Sequence, residues 1–416
     1  MNTVDTERRV VVVGASLAGT RLVQGLRALG HTGPVTLIGA EAELPYDRPP
    51  LSKDLLTREW SDEAVAAVRL ASAEELRDLH VDVRLGTAAV SLDTGAKTVA
   101  LDDGAVVGYD VLVIATGAVA RPSPWRPASG VHQLRTLGDA RAIAERLARG
   151  GHLVVVGGGF IGTEIAAAAR SRGCDVTIVD PLPEPMARLV GSEIAGTLVQ
   201  LHARHGVRTL FGRGVVGIDG EEGALTVALD DGELLAADAV VVGIGSVPST
   251  GWLEGSGILV DNGVVCDDRL RAAGAPDVYA IGDVARWPHP GHGVAVRAEH
   301  WTNASDQARY LAAALVQGDA GPYEPSDYVW SDQYDWKVHT VGRRDPEGRS
   351  TVVGDLAGNG QVAVIHADAA GVACGAVTVN WIRALNQVRR MLAAGATAET
   401  VVDELSAAPA RARAGA

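Results

Sequence analysis

The chain has 416 residues, 47% hydrophobic and 21% charged, a balance that supplies an ample core and excludes a mainly disordered state. A formal net charge of −14 argues against nucleic acid and anionic membrane as partners. No stretch of about 18 residues lacks Asp, Glu, Lys and Arg, so no membrane-spanning helix is expected.

From the N-terminus, Arg8-Arg9 before an apolar run looks superficially like a signal peptide. The run is short and passes straight into Gly14-Ala15-Ser16-Leu17-Ala18-Gly19, so export is not expected. Residues 9–13 read as a strand, followed by this glycine turn, a helix to about 29, a strand over 35–38 and the acid Glu41. The same design returns later. A strand over 153–156 leads into Gly157-Gly158-Gly159-Phe160-Ile161-Gly162, a helix to about 172, a strand over 176–179 and Asp180. Each is a β-α-β unit of the kind that receives a dinucleotide. The first glycine permits the tight turn, the second lets backbone approach a pyrophosphate, and the third packs helix on strand. The helix N-terminus offers unpaired N–H groups, and the terminal acid accepts from a ribose. One such motif is weak; two in the required strand–turn–helix–strand context are strong. Ser16 stands where the second glycine is usual.

Three further strands end in small-residue turns: 109–115 before Thr116-Gly117, 238–242 before Gly243-Ile244-Gly245, and 277–281 before Gly282-Asp283. From Pro322 the pattern changes to short alternating strands over 328–341, 361–366 and 372–379, with helices over 381–393 and 398–405, which predicts an antiparallel sheet with helical cover. Residues after 408 read as a frayed tail. The three cysteines, Cys174, Cys266 and Cys374, form no local redox pair, metal knuckle or disulfide framework and suit a reducing, cytoplasmic compartment. His289-Pro290-Gly291-His292 has no clustered cysteines or carboxylates, so no metal is expected.

This plan resembles the two-dinucleotide-binding-domain flavoproteins. The resemblance implies an α/β fold of glutathione-reductase-like architecture: two Rossmann-like domains, for FAD and NAD, plus a C-terminal α+β domain. The implied FAD domain covers 1–117 and 246–321, the NAD domain 118–245 and the C-terminal domain 322–416. Disulfide reductases and peroxidases of this kind need cysteine just after the first ribose acid. Here that stretch is Pro45-Tyr46-Asp47-Arg48-Pro49-Pro50-Leu51-Ser52-Lys53, which excludes a thiol relay. It resembles instead the NADH-dependent ferredoxin and rubredoxin reductases, putidaredoxin-reductase-like and dioxygenase-reductase-like. So do Arg297-Ala298-Glu299-His300-Trp301-Thr302-Asn303-Ala304 and Trp330-Ser331-Asp332-Gln333-Tyr334.

By that resemblance, Gly14, Ser16, Ala18 and Gly19 hold the FAD pyrophosphate and Glu41 its adenosine ribose. Asp283 binds the flavin chain and Trp301 contacts the flavin ring, with Arg48, Ala89, Thr116, Arg135 and Gly245 as further cofactor positions. Gly157, Gly159 and Gly162 hold the NADH pyrophosphate. Asp180 favours NADH, because a carboxylate accepts from a free 2′-hydroxyl and repels a 2′-phosphate. The lysines are scarce: Lys53, Lys97 and Lys337. Lys53 matches a lysine near flavin N5 that pairs with Glu164 and favours the charged reduced flavin; the alternative is a surface ion pair. Trp330 is expected at the flavin edge where electrons leave, or else as a packing residue. Arg383, Arg389 and Arg390, on a helix whose apolar face is read as Ile382, Leu385, Val388 and Leu392, together with Arg343 and Arg344, are candidates to attract an acidic ferredoxin. The implied function is an NADH:ferredoxin reductase that feeds a monooxygenase or dioxygenase, as a monomer or weak dimer. Rubredoxin reductase, NADH oxidase and a non-catalytic redox-sensing flavoprotein are the alternatives.

Overall fold

The computed structural model describes residues 5–125, 129–318, 320–355 and 360–407; the tail expected after 408 lies outside them. The chain divides into two compact units. The first comprises residues up to Leu51, Trp60–Arg121 and Gly245–Ser326. The second comprises Ser52–Glu59, Pro122–Ile244 and the residues from Asp327 on. The short segment that carries Lys53 therefore groups with the second unit, apart from its neighbours in sequence.

The first unit is built on a five-stranded parallel sheet in the order Val278–Ala280, Val111–Ile114, Val10–Val13, Val35–Gly39, Val81–Leu85. Val10–Val13 is central and buried on both faces, which suits an uninterrupted β-branched run. The helix Leu17–Ala28 places Leu22, Val23 and Leu26 in the core, where they meet Ala308, Leu311 and Leu315 of the helix Trp301–Gln317. The two helices run so close at Gly25 that a Cβ there would lie 2.9 Å from the Ala312 Cβ. A three-stranded antiparallel sheet, Ala89–Asp93, Thr98–Leu101 and Val106–Gly108, completes this Rossmann-like half.

The second unit repeats the plan. Its parallel sheet runs Val207–Phe211, Asp175–Asp180, His152–Val156, Ala239–Val242, Val131–His132, again beside a three-stranded antiparallel sheet, Val215–Asp219, Leu225–Leu229 and Leu234–Ala237. The same unit holds a five-stranded antiparallel sheet in the order Tyr328–Gln333, Trp336–Gly342, Ala373–Val379, Val362–Ala367, Arg349–Gly354. Val362–Ala367 is buried throughout because both faces are covered. Val362 and Val364 pack with Ile194, Leu198 and Leu201, whereas Ala363 and Ile365 pack with Leu385, Val388, Val401 and Leu405. The cover on that second face is the helix pair Ile382–Ala393 and Ala398–Ala407.

Two details differ from expectation. Arg349–Gly354 is an edge strand that the sequence pattern did not mark, because only Val353 of its residues is buried. Ile382 is exposed rather than apolar-face. It begins its helix, and the packed face is carried by Ala384, Leu385 and Val388.

Candidate functional site

The two glycine turns share one construction. Gly14 and Gly157 have φ of +125° and +113°, and a Cβ on either would lie 2.0 Å from the Ala115 carbonyl oxygen or 2.2 Å from that of Gly243. Gly19 and Gly162 lie against the turns themselves: a Cβ on either would come within 2.0 Å of the Gly14 or Gly157 carbonyl oxygen. These four positions admit no side chain. The middle positions are different. Ser16 has φ −123° and Gly159 φ −75°, ordinary values for any residue, and nothing lies within 4 Å of a Cβ at Gly159. The backbone at 16 therefore accepts serine without strain. Gly158, which sequence reasoning passed over, is required for packing: a Cβ there would lie 2.6 Å from Pro185.

Behind each turn a helix begins without a side-chain cap or an acidic residue in its first turn. Two other helices, Leu137–Leu147 and Ala73–Asp78, start instead with a reciprocal capping box, at Thr136/Asp139 and Ser72/Glu75. A helix N-terminus behind each glycine turn, with open space at Gly159, fits a pyrophosphate.

In the first unit, Gly282 has φ +75° and a Cβ there would meet the Ala18 Cβ at 3.2 Å, so the Gly282-Asp283 turn adjoins the first glycine helix. The buried Gln307 side chain accepts from the Gly282 N–H at 2.7 Å, and the Asp283 carbonyl accepts from Arg297 at 3.1 Å. The Trp301 indole donates to Asp47 at 2.7 Å, which ties the stretch before Leu51 to the start of the last helix of the unit. Glu41 pairs with Arg48 at 2.6 Å and accepts from the Tyr46 hydroxyl, so the expected ribose acid sits in a preformed cluster. The Thr116 hydroxyl donates to the Ser249 carbonyl at 2.9 Å, and Gly245, φ +101°, receives the Arg121 N–H. Ala89 opens its antiparallel strand at an irregularity in register. Arg135 belongs to the second unit, just before the helix Leu137–Leu147. His289 and His292 stack edge to face with ring centroids 4.4 Å apart, and the Gly291 N–H bonds His289 Nδ1 at 3.1 Å.

In the second unit, Asp180 accepts 2.8 Å bonds from the Gly158 and Leu182 N–H groups, so it shapes the glycine turn. A carboxylate has lone pairs beyond these two. Glu164, on the helix Phe160–Ser171, is buried and pairs with Lys53 at 2.7 Å. Ser52 donates to the same oxygen, Oε2, and Ser331 to the other at 2.6 Å. Ser52, Ser331 and Gln333 had no role in the sequence reading, because contacts across more than 100 residues leave no local signal. Trp330, on the opposite face of its strand, stacks on Tyr328 with centroids 5.9 Å apart, and the Arg389 guanidinium lies 5.0 Å from the Tyr328 ring centroid. Arg383, Arg389 and Arg390 are exposed, while Arg344 lies 3.6 Å from Glu193.

None of the cysteines is set up for thiol chemistry. Burial raises the pKa of Cys174 and Cys374 and pushes Cys266 up to about 12, so all three are protonated at neutral pH.

A repeated dinucleotide fold, two glycine turns that each open a helix N-terminus, and a lysine paired with a buried glutamate in place of a thiol define a nucleotide-dependent oxidoreductase. The chain belongs to the pyridine nucleotide-disulphide oxidoreductase family, whose profile matches residues 8–308; a reductase C-terminal domain profile matches residues 328–407. It is 41% identical to a rhodocoxin reductase of Rhodococcus erythropolis, over 80% of this chain and 78% of that one. It is 38% identical to the ferredoxin–NAD(+) reductase component of an anthranilate 1,2-dioxygenase system of Burkholderia cepacia, over 93% and 94%. The covalent putidaredoxin reductase–putidaredoxin complex contains a chain of the same fold, with a TM-score of 0.89 at 31% identity and coverage of 95% and 96%. The recognition made from sequence is borne out, and with it the fold class, the oxidoreductase activity and the use of FAD and a nicotinamide nucleotide. Among the described residues no helix is long and apolar enough to cross a membrane.

Proposed function

We propose that the chain is an FAD-dependent NADH:ferredoxin reductase that draws on NADH and supplies electrons to a small iron–sulfur protein serving a monooxygenase or dioxygenase. The observation that carries this reading is a half-buried cation, Lys53, paired with the buried Glu164 where a disulfide reductase would need sulfur. Bound FAD supplies the conversion between two-electron hydride chemistry and single-electron delivery. Gly14, Ser16, Ala18 and Gly19, with Asp283 and Trp301, would hold FAD; Gly157, Gly159 and Gly162 would hold the NADH pyrophosphate. Asp180 adds negative charge where NADPH carries a further phosphate, which favours NADH. Lys53 holds a fixed positive charge for the electron-rich reduced flavin, and Glu164 keeps that ammonium in place.

Tyr328 and Trp330 stack on each other, Arg389 lies over Tyr328, and the helix Ile382–Ala393 also exposes Arg383 and Arg390. These arginines suit an acidic carrier, which a chain of net charge −14 needs to attract locally. The proposed setting is the cytoplasm, as a monomer or weak dimer; three unpaired cysteines suit a reducing compartment. The test is reconstitution: NADH should reduce ferricyanide directly and cytochrome c only when ferredoxin is added. Turnover with rubredoxin alone would change the carrier, and slow, long-lived NADH complexes without turnover would make the chain a sensor.

A further inference from the structure

The Lys53–Glu164 pair ends a longer buried chain. Ser331 Oγ donates to Glu164 at 2.6 Å, Gln333 Nε2 lies 3.3 Å from Ser331 Oγ and 2.9 Å from Thr163 Oγ1, and Gln333 Oε1 lies 3.0 Å from His202 Nε2. His202 Nδ1 lies 3.1 Å from the Tyr334 hydroxyl. Glu164, Ser331, Gln333, Thr163 and His202 are all buried, and Tyr334 stacks on His205 at 3.7 Å.

The proton positions follow from the partners. Thr163 Oγ1 has the Gly159 and Phe160 carbonyls, at 2.9 and 3.0 Å, as acceptors for its hydrogen, and Ser331 has the Glu164 carboxylate for its own. Both hydroxyls can therefore only accept from Gln333, which fixes the amide with Nε2 towards them and Oε1 towards His202. His202 must then donate from Nε2, which leaves Nδ1 to accept from Tyr334. Along Tyr334, His202, Gln333, Ser331 and Glu164 every bond points the same way, and the series ends on a carboxylate that is also held by Lys53 and Ser52. Burial keeps His202 neutral, as this arrangement requires.

Resting on the reading of Lys53 above, we propose that Ser331 and Gln333 are positioning residues that fix the Lys53–Glu164 pair, acting through Glu164. They lie in the C-terminal strand Tyr328–Gln333, and through Thr163 the same amide is tied to the Gly159 carbonyl of the second glycine turn. One side chain thus links the reductase C-terminal strand, the proposed flavin cation and the nucleotide turn.

The test uses FAD-loaded protein. Ser331→Ala should slow reduction of bound FAD by NADH about tenfold, change the NADH dissociation constant by less than about twofold, and make the flavin midpoint potential more negative; Ser331→Thr should restore all three. In a Lys53→Met background the Ser331→Ala effect should vanish. Imidazole ¹⁵N spectra should show His202 as the Nε2–H tautomer at neutral pH. Gln333→Leu should lose more than Ser331→Ala; if it fails to fold, Ser331→Ala decides. Unchanged rate and potential in Ser331→Ala, additive losses in the double variant, or an Nδ1–H tautomer would overturn the proposal. If Lys53→Met itself leaves flavin reduction unaltered, the flavin role of the pair fails and the proposal with it, a result distinct from the others.

Discussion

Glu164 and Lys53 meet at 2.7 Å across 111 residues of sequence, with the carboxylate 4% exposed and the lysine 19%. The other two lysines also pair, Lys97 with Asp277 and Lys337 with Asp332, but at 47% and 69% exposure. Breaking a buried pair strands a charge, whereas breaking an exposed one costs little. Lys53→Met should therefore lower unfolding free energy by about 3 kcal/mol and Lys337→Met by less than about 1 kcal/mol, read from urea midpoints.

The glycines separate into packing and binding positions. Gly162→Ala drives a Cβ into the Gly157 carbonyl and should destabilise the second unit or prevent its folding. Gly159→Ala meets nothing and should keep its thermal midpoint while weakening NADH binding at least about tenfold, measured by titration. Equal loss of stability in both variants would contradict this division.

Cofactor choice turns on Asp180. The kcat/KM for NADH should exceed that for NADPH by at least about a hundredfold, because a buried carboxylate meets a phosphate. Since Asp180 also holds the Gly158 N–H, Asp180→Ala should lower efficiency with both nucleotides rather than simply relax the preference.

Two buried histidines set an acid limit. Burial lowers the pKa of His202 and His366 from 6.5 to about 4, so unfolding takes up protons at each site between those values. Stability should fall as pH drops from 6.5 towards 4, each histidine contributing a slope of up to about 1.4 kcal/mol per pH unit. His366→Gln should flatten the curve in denaturant titrations across this range.

If the basic face docks the carrier, the second-order rate of ferredoxin reduction should fall with added salt. Arg383→Glu and Arg390→Glu should lower it further while leaving ferricyanide reduction intact. No salt effect would remove electrostatic docking.

The parallel cores were legible because β-branched runs, glycine turns and closing acids are local features; the Val10–Val13 strand and its counterpart His152–Val156 announce themselves. The edge strand Arg349–Gly354 did not, since an exposed strand needs no apolar alternation. Lys53 and Glu164 were paired through family resemblance. What surrounds them was invisible: Ser331, Gln333 and His202 acquire meaning only where distant segments converge, and polar side chains carry no periodicity that foretells a partner.

The strand Tyr328–Gln333 is two-sided, with Ser331 and Gln333 turned to the glutamate and Tyr328 and Trp330 to the opposite face. Because neighbours along a strand alternate, adding or removing a single residue there would exchange the two sets at once, burying an indole where a hydroxyl belongs. This stretch is therefore constrained in length more strictly than in composition, and variation among such reductases should spare its spacing before its letters.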